Sequence, residues 1–478
     1  MRKNIKTFIK NFFYNFSAQL LSTVISMITV FLIPKIVGTE GYGYVQLYIF
    51  YASYTAYMSF GISDGIYIRY GGYEYENINK PIIAGQYWIV SIALVLLGSG
   101  IVAGAAGCGI DSQKIVMLFW SMLSALITVP RSLVNFLLLT TNHIKNASKI
   151  TIIERCTYFC VCVILLSLRV EDPMPYIYAD IIGKITASVC MFILYTELVY
   201  IPRIDLKPVI CELKSNLFVG IKIVSASIVG LFIIGIVRFE ISNEWNMTIF
   251  GKVSLALSIA NLLLAFINTL SVVLFPVICR CTEEVLRKFY NILDHSLQIV
   301  LVIVLAMYYP MKVLLNLWLP QYEDSMEYMA LIFPICLFEC KVSLILNTYF
   351  KALRAEKYIL FVNILAALIS IILSTICVYV LHNLVLAICV ITVALGIRCI
   401  FSELVIKKIL QINNLKSIFI EICISIAFIV MNWFVGGYLG FALYMLVVIL
   451  YVFFSKKQLI YMKNELKILF YKAEEEYI

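Results

Sequence analysis

The chain has 478 residues, of which 62% are hydrophobic and only 14% are charged, and its mean hydropathy is +0.96. Soluble domains are about 45–50% apolar and about 25% charged. This chain therefore has too few polar side chains to cover a water-exposed surface. The composition excludes a soluble enzyme, a disordered protein and a nucleic-acid-binding protein. For the net charge of +9, the distribution of the charges across a membrane is more informative than their sum.

Cysteine and histidine usage argues against metal and cofactor chemistry. Most of the 14 cysteines lie in apolar runs, where a thiol packs as a small hydrophobic group. The chain has three histidines and contains no H-E-x-x-H or C-x-x-C pair, so we expect no zinc site, no other metal and no cofactor. It also lacks the G-x-x-x-x-G-K-[ST] loop of P-loop ATPases. We predict no catalytic residue.

Fourteen apolar segments are long enough to cross a bilayer, which takes about 20 residues as a helix. Proline, glycine and charged residues separate them. The segment 293–309 is short and the split at His382-Asn383 is weak, so the chain is predicted to have twelve to fourteen spans. The longest predicted outer loop is 310–326. The predicted spans are residues 12–33, 43–61, 82–106, 115–139, 150–168, 175–196, 217–237, 249–275, 293–309, 327–349, 358–381, 384–405, 417–436 and 438–455.

Basic residues predict the orientation of these spans. If the N-terminus is cytoplasmic, 25 of the 37 basic residues fall on the cytoplasmic side and six fall on the outer side. Because Lys and Arg concentrate in cytoplasmic loops, this distribution predicts a protein of the cytoplasmic membrane with both termini in the cytoplasm. The first apolar stretch lacks an A-x-A-like cleavage site, so we expect it to be an uncleaved helix.

Two pairs of motifs recur at a nearly constant spacing. Tyr42-Gly43-Tyr44-Val45 is followed 208 residues later by Phe250-Gly251-Lys252-Val253, and Val129-Pro130 is followed 204 residues later by Phe333-Pro334. This spacing predicts two six-helix lobes, 1–213 and 214–410, as a parallel repeat about an axis along the membrane normal. Residues 411–478 then form an additional transmembrane helix pair with a basic cytoplasmic tail. Chance similarity between apolar helices is the alternative.

Six basic residues remain inside the predicted spans, and the acids there are fewer. A charge near the bilayer centre costs about 2.5–3.5 kcal/mol, so each should face a cavity or a partner. Asp180 and Lys184 stand four residues apart and can pair on one helix face, whereas Glu339 and Lys341 lie on different faces and need other partners. The six bases are Arg131, Arg155, Lys184, Lys222, Lys341 and Arg398, and the acids are chiefly Glu154, Asp180, Glu339 and Glu421.

The internal cations allow a structural and a functional interpretation. Lys222 and Arg155 can extend to the interface from the ends of their helices. For Arg131, Lys341 and Arg398, a structural role and a place in a cavity remain equally open. The excess of cations favours a cavity of positive potential, which suits a phosphate or pyrophosphate because Arg binds it with two hydrogen bonds and Lys with a point charge.

Several short motifs follow one another along nearly the whole chain. They are Ile33-Pro34-Lys35-Ile36-Val37-Gly38-Thr39-Glu40-Gly41-Tyr42-Gly43, Phe60-Gly61-Ile62-Ser63-Asp64-Gly65, Arg69, Gly220, Arg238-Phe239-Glu240-Ile241, Phe250-Gly251, Phe275-Pro276 and Leu317-Trp318-Leu319-Pro320-Gln321-Tyr322. In these motifs and their order the chain resembles the polysaccharide flippases (Wzx-type repeat-unit transporters) of the multidrug/oligosaccharidyl-lipid/polysaccharide exporter superfamily. The resemblance implies two six-helix lobes around a central cavity, an added helix pair and transport by alternating access. Pro320 and Lys252 depart from the pattern.

The leading hypothesis from this resemblance is a flippase rather than an enzyme. Its substrate is a polyprenyl-pyrophosphate-linked oligosaccharide repeat unit for surface polysaccharide synthesis, and its partners are the lipid bilayer, a polysaccharide polymerase and glycosyltransferases. Arg131, Lys341 and Arg398 are the candidate cavity cations, with Arg238 and Lys35 near the outer mouth. The candidates for an ion pair or for carrying a coupled proton are Asp180, Lys184, Glu154 and Glu339.

Two other functions remain as alternatives. A Na⁺- or H⁺-coupled exporter of small organic compounds, organic cations above all, needs acids in the cavity without an excess of cations, so the charge count argues against it. A membrane-embedded polysaccharide polymerase or glycosyltransferase usually needs acidic groups in a sizeable outer loop. The predicted loop 310–326 contains Glu323 and Asp324 but is short.

Overall fold

Apolar helices account for most of the chain, as its hydropathy requires. The computed structural model describes residues 2–200, 205–278 and 282–455, and these ranges contain helices and turns without a strand. Within these ranges, twelve helices are long and apolar enough to cross a membrane, or 13 if one bent pair counts as a single span. The protein is a multi-pass, all-α membrane protein, as predicted. The predicted basic tail at 456–478, together with Arg203 and Arg280, lies outside the described residues.

The first of two compact units comprises Met1–Leu231 and Met247–Gly251. Its core is apolar and lies where α2, α3, α4 and α5 meet, around Ile66, Ile83, Leu133 and Leu137. The helices are α1 (Arg2–Thr55), α2 (Ile62–Arg69), α3 (Lys80–Gly107), α4 (Ser112–Thr140), α5 (Ile144–Ser167), α6 (Met174–Leu194) and α7 (Leu206–Glu244), the last of which belongs to this unit up to Leu231.

The second unit comprises Phe232–Asn246 and Lys252–Ile478. Helices α11 to α13 are buried over most of their length and form its centre, with α9 and α15 packed against them. The helices after α7 are α8 (Met247–Ile278), α9 (Glu283–Leu305), α10 (Tyr308–Trp318), α11 (Glu323–Ile332), α12 (Ile335–Lys341), α13 (Asn347–Ala352), α14 (Lys357–Thr375), α15 (Leu384–Ile409), α16 (Lys416–Ile429) and α17 (Gly437–Ser455).

Helix α1 is broken at Gly38, the break predicted from the sequence at Pro34 and Gly38. Gly38 has φ 77° and ψ 179°, a conformation that side chains with a Cβ rarely adopt, whereas Pro34 stays inside the helix. The apolar part, Phe13–Ser59, is 47 residues long and therefore more than twice the length of one span. With its two arms counted separately and the bent pair counted as one span, the described residues contain fourteen apolar helical segments, within the predicted range of twelve to fourteen.

Glycines bring backbones together inside the first unit. A Cβ on Gly220 of α7 would lie 1.7 Å from the carbonyl oxygen of Gly61, and one on Gly251 would lie 3.0 Å from the backbone nitrogen of Gly43. Both contacts require glycine, since a methyl group does not fit in either space. Gly43 and Gly251 are also the glycines that the repeated motifs relate to each other.

The region predicted as the outer loop 310–326 is helical over most of its length, so that prediction is wrong. Pro310 occupies the first turn of α10, where its missing N–H has no helical partner to lose. The predicted span 327–349 is not one straight helix either. It bends by 47° between the α11 and α12 parts, where Phe333 and Pro334 interrupt the helix.

Candidate functional site

A polar cavity of about 210 Å³ lies within the first unit, between α4 and α5. Its wall contains a guanidinium, a carboxylate, three hydroxyls and one amide. Pro130 precedes Arg131 in α4 and removes one backbone hydrogen bond from the helix at this level. The lining residues are Ala56, Thr128, Val129, Arg131, Ser132, Asn135, Ile150, Thr151, Glu154 and Met191.

Arg131 and Glu154 form an ion pair in the wall of this cavity. The Arg131 Nη2 donates to Glu154 Oε2 at 2.5 Å, and its Nη1 donates to the backbone oxygen of Lys184 at 3.3 Å. The two side chains are only 13% and 12% exposed. A guanidinium has five N–H donors, so Arg131 retains three that have no protein partner among the described residues.

A second polar network joins α6 to α1 and α4 in the same unit. Lys184 Nζ donates to Asp180 Oδ2 at 2.5 Å and to Ser124 Oγ at 2.8 Å. The hydroxyl of Tyr48 also donates to Asp180 Oδ2, at 2.6 Å. Because Arg131 donates to the Lys184 backbone, this network is continuous with the wall of the cavity.

Arg398 and Arg238 lie in the second unit. Arg398 on α15 donates to Glu339 Oε1 on α12 at 2.6 Å, and both side chains are less than one-fifth exposed. Arg238 on α7 donates to Ser254 Oγ at 3.0 Å. The Arg398–Glu339 pair contains one charge of each sign and is therefore neutral.

Lys341 occupies the centre of a buried cluster in the second unit. Its ammonium lies 2.7 Å from Asp294 Oδ1 on α9, 2.6 Å from Glu403 Oε2 on α15 and 2.5 Å from Glu421 Oε1 on α16. The Asp294 contact is an ion pair without hydrogen-bond alignment. Glu403 also binds Lys407, at 2.5 Å. All five side chains are at most 4% exposed, so we name them the buried charge cluster.

The structure does not show the unpaired internal cations that we expected. Arg131, Lys184, Lys341 and Arg398 each contact at least one carboxylate, because a charge removed from water is costly unless it is paired. The candidates are also spread over the molecule. Arg131 and Lys184 belong to one unit, whereas Lys341 and Arg398 belong to the other.

One predicted site residue, Lys35, remains to be placed, and three residues of the buried charge cluster are not among the predicted candidates. Lys35 is exposed on α1, one turn before the break at Gly38. Asp294, Glu403 and Lys407 were not singled out, and Lys407 was counted among the cytoplasmic charges. The spacing of Glu403 and Lys407, four residues apart on one helix, is a signal that could have found that pair.

One group of side chains in the described ranges has the donor spacing of a metal site. One ligand atom from each of Cys399, Glu403 and Glu421 lies within 4.8 Å of the others. Both carboxylates, however, already bind the ammonium groups of Lys341 or Lys407. This donor set therefore fits a charge network better than a divalent cation, which prefers carboxylates free of ammonium groups.

A further polar group ties together the segments at one end of the first unit, outside the spans. Glu197 accepts hydrogen bonds from Lys80 Nζ at 2.7 Å and from the Tyr75 hydroxyl at 2.6 Å. These hydrogen bonds lower the pKa of Glu197 below its ordinary value. Burial and the neighbouring carboxylate raise the pKa of Tyr75, so it remains a neutral donor.

Comparison with solved structures places this arrangement in a known fold. The chain superposes on the lipid II flippase MurJ in an inward closed conformation with a TM-score of 0.61 and 12% identity, over 94% of this chain and 99% of that one. It superposes on an inward-facing multidrug resistance MATE family transporter of the MOP superfamily with a TM-score of 0.59 and 12% identity, over 82% and 98% of the two chains. MATE in complex with MaD3S gives a TM-score of 0.52 at 14% identity, over 84% and 96%.

No protein-family model and no curated protein matches the sequence. The solved structures reported above are those of a flippase and of transporters rather than of enzymes. At 12–14% identity they establish the fold and leave the substrate open. The chain therefore has the polytopic helical fold shared by MurJ and the MATE transporters.

Proposed function

We propose that this protein is a flippase that moves polyprenyl-pyrophosphate-linked oligosaccharide repeat units across the cytoplasmic membrane by alternating access. The observation that carries the proposal is the cavity in the first unit, where Arg131 has three unused N–H donors beside hydroxyl and amide groups. A guanidinium is suited to a pyrophosphate because its planar fork matches two phosphate oxygens. The fold is compatible with this proposal, since one protein with the same fold is a lipid II flippase.

The size of the cavity indicates which part of the substrate it would hold. A volume of about 210 Å³ lies below the range of about 300–1,000 Å³ for drug-sized ligands. A charged headgroup fits such a space. The sugars and the polyprenyl chain would then lie outside this cavity.

Glu154 makes binding at this cavity conditional. Its carboxylate neutralises Arg131, so a pyrophosphate that binds the three remaining N–H donors brings its negative charge next to Glu154 and repels that carboxylate. Movement of Glu154 away from Arg131 would change the charge of the wall when the substrate arrives. Glu154 is therefore the proposed switch residue, and Arg131 is the proposed headgroup ligand.

The same carboxylate favours a second candidate function. Because Arg131, Lys184, Lys341 and Arg398 are each paired with a carboxylate, the charge count argues less strongly against an exporter of small organic cations, for which Glu154 would be the counter-ion. A MATE transporter with this fold is described as a multidrug resistance transporter. A polymerase or glycosyltransferase gains no support, since the 310–326 region with Glu323 and Asp324 is largely helical.

The proposal includes the topology and the repeat. Both termini would be cytoplasmic, and the six-helix lobes 1–213 and 214–410 would be related by an axis along the membrane normal, with 411–478 added. The contact between Gly43 and Gly251 supports this arrangement, because repeat-related residues meet near a two-fold axis. A polymerase and glycosyltransferases would act on the same lipid-linked sugar and are the proposed functional partners.

A binding measurement on the purified protein in lipid nanodiscs tests the headgroup assignment. The probe is farnesyl pyrophosphate, and farnesol, which lacks the anion, is the matched control ligand. The double variant Arg131→Gln/Glu154→Gln removes both charges and so leaves no unpaired ion. One charge-assisted hydrogen bond contributes about 1.5–3 kcal/mol, which predicts binding of the probe weaker by about 10- to 150-fold.

The matched control is the double variant Arg398→Gln/Glu339→Gln, which removes the same charges from a pair in the second unit. It should bind farnesyl pyrophosphate as the wild type does. Equal weakening in both double variants would contradict the role of Arg131. Tighter binding of tetraphenylphosphonium than of farnesyl pyrophosphate, lost with Glu154→Gln, would favour the cation exporter.

A further inference from the structure

The buried charge cluster contains more carboxylates than ammonium groups. Its two bases, Lys341 and Lys407, face the three acids Asp294, Glu403 and Glu421. With every group ionised, the cluster has a net charge of −1. Each ion buried without compensation costs several kcal/mol, so this arrangement is complete only when one more positive charge is bound.

No other charged side chain that the structure describes compensates for this excess. Arg398, on the same helix as Glu403, donates to Glu339, and Arg287 near the beginning of α9 donates to Gln411. The other titratable groups around the cluster are neutral hydroxyls and a thiol, and His295 is half-buried without a hydrogen bond to the cluster. The neutral groups are Tyr290 on α9, Cys399 on α15 and Tyr451 on α17.

Neutral polar contacts occupy several carboxylate oxygens of the cluster. Gln298 Nε2 donates to Glu421 Oε1 at 2.7 Å and to the backbone oxygen of Ser417 at 3.0 Å. The Ser417 hydroxyl donates to Glu403 Oε1 at 2.8 Å. These contacts orient Glu403 on α15 and Glu421 on α16, but they add no charge.

Two buried polar atoms beside the cluster have no hydrogen-bond partner among the described residues. One is the hydroxyl of Tyr290, a side chain that is completely buried, and the other is Oδ1 of Asp294. Tyr290 and Asp294 are one helical turn apart on α9, and the hydroxyl lies within electrostatic reach of Asp294, Glu403, Glu421 and Lys341. Buried polar atoms are rarely left without partners. The Tyr290 hydroxyl is therefore a free donor beside a cluster that lacks one positive charge, and Asp294 Oδ1 has only its ion-pair contact with Lys341.

We propose that the buried charge cluster is a proton-binding site, which holds one proton on its three carboxylates when the protein is in its resting state. The proton adds to one carboxylate oxygen and converts it to a neutral carboxylic acid, which brings the cluster to net zero. Asp294 Oδ1 and the Tyr290 hydroxyl supply the hydrogen-bonding positions through which a proton or a water can enter. The site is distinct from the cavity at Arg131, which belongs to the other unit.

A proton fits this site better than a metal ion. Any cation close to Asp294, Glu403 and Glu421 would also lie close to the ammonium of Lys341, which touches all three. A proton becomes part of a carboxyl group and keeps Lys341 in place. Among the His, Cys, Asp and Glu side chains that the structure describes, the further donor with ligand spacing is the Cys399 thiol, a poor ligand for Na⁺, which prefers oxygen.

The location connects the site to the helices that follow the proposed repeat. Glu421 lies on α16 and Tyr451, which donates to Gln298, lies on α17. Loss of the proton would leave net negative charge between α16 and the helices that carry Lys341 and Glu403. We further infer that this site couples a proton to lipid movement, and this step rests on the proposed function.

Infrared difference spectroscopy of the substrate-free protein in nanodiscs tests the site independently of transport. The wild type should show the C=O stretch of one protonated carboxyl group at neutral pH, which disappears on alkalinisation. Glu421→Gln makes the cluster neutral without a proton, so this signal should be absent whichever carboxylate holds the proton in the wild type. Glu284→Gln, at the exposed pair with Lys288 on α9, should retain it.

Stability provides the second measurement. The folded wild type binds one more proton than the unfolded chain, so its stability should fall as the pH rises through the range in which that proton is released. Glu421→Gln should lose this dependence and remain folded. The proposal would be overturned if the wild type showed no protonated-carboxyl signal, or if its signal were still present in Glu421→Gln. Displacement of that signal by Na⁺ at constant pH and ionic strength would also overturn it, since the site would then bind a metal ion.

Discussion

Replacing Lys341 by Met gives the most informative test of the second unit. Met has nearly the length of Lys, so the substitution removes the charge without creating a large cavity. It leaves Asp294, Glu403 and Glu421 with Lys407 as the only base in the cluster. The cluster would then need two bound protons rather than one to reach neutrality.

The magnitude follows from burial. Removing one partner of a buried ion pair costs about 3–5 kcal/mol, and Lys341, 1% exposed, contacts three carboxylates. We therefore expect a loss of unfolding free energy near 5 kcal/mol, larger at alkaline than at neutral pH because protons then compensate less. The control is Lys288→Met, which removes a 53%-exposed Lys from an i,i+4 pair with Glu284 and should have an effect of at most about 0.5 kcal/mol.

We would measure equilibrium unfolding of the purified variants in mixed micelles by tryptophan fluorescence at neutral and alkaline pH. This gives the loss of unfolding free energy and its dependence on pH. The predicted order of destabilisation is Lys341→Met well above Lys288→Met, with a pH dependence only in the former. If the two variants lose the same stability, or if the loss in Lys341→Met does not change with pH, the charge count of the cluster is incorrect.

Two further predictions concern the first unit. Gly220→Ala should lower the unfolding free energy by about 1–3 kcal/mol, because its Cβ would overlap the Gly61 carbonyl. The control Gly100→Ala, with open space around it, should be neutral or slightly stabilising. Unfolding in the same micelles compares the two variants, and equal effects would refute the close backbone contact. Because hydrogen bonds lower the pKa of Glu197 in the folded state, its contribution to stability is present above the unfolded-state pKa and is lost as the pH falls through the folded-state pKa. Glu197→Gln should therefore flatten the acid side of a plot of thermal stability against pH. An unchanged plot would show that the hydrogen bonds from Lys80 and Tyr75 do not form.

The sequence predicted the fold well because hydropathy and helix length are local properties. The bilayer requires about 20 apolar residues per helix, so the fourteen spans could be read from the chain, including the break near Gly38. The prediction failed at 310–326 because proline and charged residues occur in the first turns of helices as well as in loops. Pro310 lies in the first turn of one helix, and Glu323 and Asp324 lie in the first turn of another.

The candidate site was predictable only where partners share a helix. The spacing of Asp180 and Lys184 is enough to bring their charges together on α6. The partners of Arg131 and Lys341 come from other helices, and the contact with Glu421 crosses 80 residues of sequence. Composition gave the number of internal cations but not their pairing, so the predicted positive potential is not what the structure shows around these residues.

The most direct test of the proposed function is movement of a lipid pyrophosphate by the reconstituted protein. A fluorescent polyprenyl-pyrophosphate-linked sugar is incorporated into liposomes, and dithionite, which does not cross the bilayer, quenches the label in the outer leaflet. The account predicts that the wild type and Arg398→Gln/Glu339→Gln expose the inner-leaflet lipid to quenching, and that Arg131→Gln/Glu154→Gln does so at a rate at least about tenfold lower. Equal rates in the two double variants, or movement no faster than in protein-free liposomes, would contradict it.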